Sequence, residues 1–209
     1  MGDYKVELGL YHDCLYEIKR RIGVIADHLN KKTTERYLII EVETICLQFR
    51  KILEKIMLML FEMLILENFQ AGLTWECVLN KREAFRRAFD EFDLRKVASY
   101  SEEKLTALQA DSGIIRDRLK IRTAVVNAQV FLKIQQEWGS FDRYLWHWTD
   151  EKIIREVDKV SSPLSDAISK DLKKRGMKFV GSIIIYAYLQ AVGVINSHES
   201  ICFLNPSQQ

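Results

Sequence analysis

The stretch Lys173-Lys174-Arg175-Gly176-Met177-Lys178-Phe179-Val180-Gly181 combines residue types that could hold a phosphate. Glycines at both ends of a short hairpin let the backbone turn tightly and come close to a ligand. The N–H groups opening the following helix then point outward, where a phosphate oxygen accepts them. Flanking Lys and Arg add an attraction that weakens with salt. This is the logic of a helix–hairpin–helix contact with DNA, and a plain glycine-punctuated helical corner has the same appearance. Two further basic clusters, Lys81, Arg82, Arg86, Arg87 and Arg116, Arg118, Lys120, Arg122, read by themselves as solvated helix faces. His198 and Cys202 stand at i and i+4, on one face of a helix if the helix continues that far. Two ligands fall short of the four that a closed zinc site requires. Taken singly, Glu67, flanked by Leu66 and Phe69, reads as a helix-end glutamate, and Trp75 reads as a core indole.

The elements that must position these residues are helices. Over residues 13–30, Leu15, Ile18, Ile22, Ile25 and Leu29 recur at steps of three and four, the spacing of an amphipathic helix. A polar break follows at Lys31 to Thr34, then one or two helices over 35–66. Gly72 marks a turn, and helical periodicity resumes from Trp75 to Phe89 through Val78, Leu79 and Phe85. Ser101 has the character of an N-cap, with two glutamates behind it at the positive end of the helix dipole. Gly113 separates that helix from one over 115–137, which Gly139 and Ser140 end. Residues 149–162 read as a surface loop or short helix, and helices over 163–175 and 182–192 flank the hairpin. No alternation of period two persists long enough to make a sheet, so the expected fold class is all-α.

Composition agrees. The chain has 209 residues, 48% hydrophobic and 29% charged, enough for one domain with a sizeable core and a short extension. Only 9 Gly and 2 Pro occur, and both prolines, Pro163 and Pro206, come late. Disorder, collagen and disulfide-scaffold classes are excluded. Ile56 to Leu66 is the most apolar stretch, but Glu54, Lys55, Glu62 and Glu67 interrupt it, and it falls well short of the ~20 apolar residues of a membrane span. It reads as a buried helix. The four scattered cysteines and an N-terminus polar from Gly2 to Glu7 predict a reduced, cytoplasmic setting. A net charge of +2 neither demands nor excludes a polyanion.

Four stretches taken together are more specific: Phe61 to Trp75, Asp111 to Ile121, Gly139-Ser140-Phe141, and Ser165 to Gly181. In this order they closely resemble the DNA-3-methyladenine glycosylase I family of helix-hairpin-helix DNA glycosylases. The resemblance covers residues 58–203, about 70% of the chain. Residues 1–57 do not resemble the family's N-terminal segment, so the expected organisation is a divergent helical segment, 1–57, and a glycosylase domain, 58–209.

The resemblance implies removal of a positively charged methylated adenine from double-stranded DNA by cleavage of its N-glycosidic bond. Ring methylation already weakens that bond, so the protein needs a base-flipping pocket more than a powerful acid. Glu67 matches the base-recognising carboxylate and Trp75 the pocket aromatic, whose face attracts a cation. Leu73 matches a turn that reaches toward the base stack. DNA contacts are implied at Gly113, Arg116, Arg118, Lys120, Lys174, Gly176, Lys178 and Gly181. Ile195-Asn196-Ser197-His198 holds no carboxylate where larger relatives carry a catalytic aspartate, which implies a monofunctional enzyme without lyase activity. His198 and Cys202 match half of the family's structural zinc site. His12, in Tyr11-His12-Asp13, is the candidate third ligand and Cys14 or Cys46 the candidate fourth. The family's Glu-Trp-Gly and early Cys-x-Trp are absent, and Tyr11 or Tyr16 stands in for its pocket tyrosine only if the chain returns to the site. Two alternatives stay open: a catalytically impaired DNA-binding module, and an interaction protein whose N-terminal helices pair with themselves or a partner helix.

Overall fold

The computed structural model describes the backbone of residues 35–198 and the side chains of residues 51 and 53–198. The expected helix over 13–30, together with His12, Tyr11, Tyr16, Cys14 and Cys202 and the side chain of Cys46, lies outside the described residues. By its internal contacts the chain divides after Met57, and the unit described below begins at Leu58.

The architecture is all-α, carried by nine helices among the described residues. One uninterrupted helix, α1 (Glu35–Gln70), takes the place of the one or two expected over 35–66. From Met59 to Phe69 every residue is buried, which is why this stretch shows no polar face. Its ring contacts name its neighbours. Phe61 meets Phe92 and Phe131 edge-on at 6.3 and 5.5 Å, and Phe69 meets Phe85 and Phe89 at 4.8 and 6.1 Å. The Tyr188 hydroxyl donates to Leu60 O. The core therefore forms around the Met59–Phe69 part of α1. No described helix is long and apolar enough to cross a membrane.

The helix expected over 75–89 is two, α2 (Trp75–Leu79) and α3 (Arg82–Ala88). They part at Asn80 and Lys81, where the Lys81 ammonium reaches the carbonyls of Ser112 and Gly113. A 3-10 turn (Asp90–Phe92) leads to α4 (Leu94–Ala98) and α5 (Glu102–Ala110), the latter capped by Ser101 as expected. Helix α6 (Arg118–Trp138) starts later than residue 115, because the Asp117 carboxylate accepts the N–H groups of Leu119 and Lys120 and so sets the N-terminus. It ends at Gly139, and α7 (Phe141–Trp146) follows a Ser140 cap.

Within 149–162 the chain forms a strand, β1 (Ile154–Arg155), which pairs in parallel with β2 (Ile195–Asn196). Strands of two residues are too short for alternation to reveal them in sequence. Helix α8 (Pro163–Lys174) opens with a reciprocal Ser162–Ser165 capping box and Pro163 in its first turn. After the hairpin comes α9 (Ser182–Ala191).

Candidate active site

Glu67 lies in the last turn of α1, 4% exposed, among the apolar side chains that bury the helix. No described residue gives its carboxyl a hydrogen bond or an ion pair. Burial alone pushes its pKa up to about 7. Trp75 opens α2 after the turn that ends α1, and its indole N–H is likewise buried without a partner. Buried polar atoms are paired in the great majority of cases, so these two groups, on either side of one turn, are exceptions among the described residues.

The turn between them is braced. Leu73 N–H donates to Gln70 O at 2.7 Å, and the Gln70 amide returns a bond to Leu73 O at 3.1 Å. Gly72 takes φ +82°, a conformation that a side chain would strain. Leu73 is 39% exposed, unusual for a large apolar residue next to a packed core, and suits contact with something outside the protein.

The hairpin is held from behind. Gly176 has φ +102°, which lets the chain reverse after α8. Asn127, fully buried on α6, accepts from Lys178 N–H and donates to Lys178 O, both at 2.9 Å. Asn68, the residue after Glu67, joins this network when its amide nitrogen faces Phe179 O at 2.7 Å and its oxygen faces Asn127 Nδ2 at 2.9 Å. Ser169 donates to Val180 O at 2.6 Å, and Ser165 and Ser182 share a hydrogen bond across the two helices. Arg175, at the hairpin's entrance, bonds Asp171 and Glu137 and lies over the Tyr144 ring. The N–H groups of Gly176 and Met177 bond back to Lys173 O and Leu172 O, and the hairpin presents Gly181 with open space where a Cβ would point. The first amides of α9 follow it directly.

The expected DNA contacts divide into two groups. Arg116, Arg118, Lys174 and Lys178 are exposed, and their side chains carry no hydrogen bond or ion pair among the described residues. Gly113 is held in its loop by its own N–H to Asp111 and its carbonyl to Lys81. Lys120 departs from the expectation: it is buried, and its ammonium donates to Phe69 O at 3.1 Å and Ala71 O at 2.6 Å. A charge turned inward onto carbonyls is poorly placed for phosphate. Of the other basic clusters, Arg82 and Arg86 both grip Glu62, buried on α1, at 2.8 Å, and Arg122 pairs with Glu102. Beside the hairpin runs a groove of about 410 Å³ lined by Leu119, Arg122, Thr123, Val126, Lys178 and Phe179. The start of α6 and the hairpin therefore flank one surface.

His198 does not continue a helix. Helix α9 ends at Ala191, Gly193 turns the chain into β2, and His198 N–H is fixed by Asn196 Oδ1. The i, i+4 helical face expected for His198 and Cys202 is thus not formed at its first member. No group of three or more metal-ligating side chains occurs among the described residues.

Sequence reasoning missed Asn127, Asn68 and Ser169, polar residues whose partners are backbone groups far along the chain and leave no local pattern. Glu62 had a signal, an acid in the middle of the most apolar stretch, which required a buried partner.

The family model for methyladenine glycosylases matches residues 41–205. The chain is 42% identical over 157 residues to DNA-3-methyladenine glycosylase 1 of Escherichia coli (strain K12), covering 72% of this chain and 83% of the relative. A crystal structure of 3-methyladenine DNA glycosylase I superposes with a TM-score of 0.68 at 42% identity, covering 70% of this chain and 84% of that one. A structure of the Staphylococcus aureus 3-methyladenine DNA glycosylase I, which concerns 3-methyladenine recognition, matches with TM-score 0.67 at 33% identity, over 72% and 81% of the two chains.

Proposed function

This chain belongs to the methyladenine glycosylase family, and from that premise we propose that it hydrolyses the N-glycosidic bond of 3-methyladenine in alkylated DNA as a monofunctional base-excision glycosylase. One observation carries the reading: Glu67 holds a buried carboxyl with no partner among the described residues. In an apolar site an anion is costly, and a cationic base edge is the ligand that relieves it. The duplex docks on the hairpin and the Gly113–Arg118 loop, the lesion leaves the stack, and Leu73 enters the gap. In the pocket Glu67 accepts from the base edge and favours its positive charge, while Trp75 offers an aromatic face worth on the order of 1–2 kcal/mol to a desolvated cation. The leaving base is already activated, so water attacks the sugar without a strong protein acid.

Purified protein should release 3-methyladenine from methylated duplex DNA, and Glu67→Gln should cut that release sharply while leaving affinity for unmodified duplex nearly unchanged. No release at high enzyme excess, with DNA binding intact, would favour the impaired DNA-binding module, as would any collapse of the distinction between the two proteins.

Three further parts of the proposal stand on the sequence. A structural zinc would be held by His198 and Cys202 with His12 and a further cysteine, and metal analysis of the same preparation reads it. The N-terminal helices would associate with themselves or a partner helix, which truncation of residues 1–57 and sedimentation test. The place of work is the cytoplasm.

A further inference from the structure

Lys120 stands in a run of basic residues at the start of α6, yet only 8% of it is exposed. Its Nζ bridges Phe69 O and Ala71 O, which lie on either side of Gln70, the last residue of α1. Helix C-termini leave carbonyls without partners, and their dipole favours a cation. This cation does more than cap. The segment it grips runs directly from Glu67 into the turn with Gly72 at φ +82°, then into exposed Leu73 and on to Trp75. Its neighbours in sequence face solvent: Arg116 in the loop that precedes α6, and Arg118 as the first residue of the helix. One side chain therefore links the start of α6 to the turn that presents Leu73.

We propose that Lys120 is a positioning residue for base extrusion: by bonding the carbonyls of Phe69 and Ala71 it holds the Gln70–Leu73 turn where Leu73 can occupy the vacated stack, and it makes no phosphate contact. This rests on the glycosylase reading. A phosphate ligand and an internal strut differ in measurable ways. Loss of a phosphate contact makes log K less steep in log salt by about one and weakens binding to every sequence alike. Loss of a strut leaves ground-state binding alone and misplaces a group needed later, a fault that costs on the order of 10- to 100-fold in rate.

The test compares wild type with Lys120→Met for affinity toward unmodified duplex across a salt series, single-turnover release of 3-methyladenine at saturating methylated duplex, and hydrogen exchange at the Leu73 amide. The expected result is affinity within about twofold and an unchanged salt slope, a release rate lower by that 10- to 100-fold factor, and faster exchange at Leu73. A shallower slope with release at saturation and Leu73 exchange both unchanged overturns the proposal. A second measurement needs no variant: the side-chain ammonium signal of wild-type Lys120 should be unmoved by unmodified duplex while that of Lys178 shifts. Equal shifts of the two overturn it. Wild-type protein that releases no base would defeat the glycosylase reading instead, and the salt slope, Leu73 exchange and ammonium signals would still decide whether Lys120 faces phosphate or the turn.

Discussion

Glu62 and Glu67 are five residues apart on one helix, equally buried at 4%, and opposite in what they do. Glu62 is held by Arg82 and Arg86, so its charge is compensated inside the protein. Glu67 is compensated by no described residue, and burial pushes its pKa up to about 7. The sign of the pH effect follows. Between 4.5 and about 7 the unfolded chain releases the Glu67 proton and the folded one keeps it, so folding loses stability as pH rises through that window. The loss amounts to about 3 kcal/mol in all, at 1.36 kcal/mol per unit. Glu67→Gln removes it: thermal unfolding should show the variant more stable than wild type at pH 8 and close to it at pH 4, although its base release should fall sharply. A wild-type advantage at pH 8 would mean that the carboxylate has a partner. At Glu62 the expectation reverses. Glu62→Ala leaves two arginines facing an emptied buried site and should cost about 3 kcal/mol or more in denaturant unfolding at neutral pH. Sequence alone could not separate these two acids, since both interrupt the same apolar run and only the family pattern singled out Glu67. The arginines that distinguish them come from α3, brought beside α1 by folding.

The helices were legible where a local chemical signal bounds them: Ser101 as a cap, Gly139 with Ser140 as the end of α6, and a helix starting at 163, where Pro163 stands in the first turn. They were misplaced where a side chain outside the local pattern decides. Asp117 delays α6 by capping two amides, and the 75–89 run parts at Asn80 and Lys81, where the Lys81 ammonium bonds the 112–113 loop. The hairpin shows both sides. Its glycines and lysines are visible in the sequence, but its shape is maintained by Asn127, 51 residues from Lys178, and by Asn68. This network ties the helix bearing Glu67 to the element expected to hold DNA. Replacing Asn127 by Ala strands an N–H and a C=O of Lys178 as well as the Asn68 oxygen, and unsatisfied groups of this kind cost about 1–3 kcal/mol each. The Asn127→Ala protein should lose stability by about that much for one group or more, and bind unmodified duplex less tightly. Asn127→Asp keeps an acceptor for Lys178 N–H and should recover part of the loss. If the alanine variant bound duplex as tightly as wild type, the hairpin's shape would not depend on this staple.

At the scale of the whole molecule, a net charge of +2 is a poor guide to polyanion binding, because many of its cations are already engaged. Arg82 and Arg86 neutralise Glu62, Arg122 pairs with Glu102, Arg175 is shared by Glu137 and Asp171, and Lys120 is turned inward. What remains uncommitted among the expected DNA contacts is Arg116, Arg118, Lys174 and Lys178, and the groove lined by both Leu119 and Lys178 places the start of α6 alongside the hairpin. If those four cations each neutralise one phosphate, log K for unmodified duplex should fall against log salt with a slope of about −3 to −4, at roughly 0.9 per contact. Charge-removing substitution of any one of them should make the slope shallower by about one, whereas substitution at Arg82 or Arg86 should lower stability and leave the slope where it was. A slope near −1 would confine the DNA contact to the hairpin amides, and a slope steeper than −6 would require cations beyond these four. Measured on the full chain, the same titration also weighs the N-terminal segment, whose basic residues would add to the slope only if they lie along the duplex.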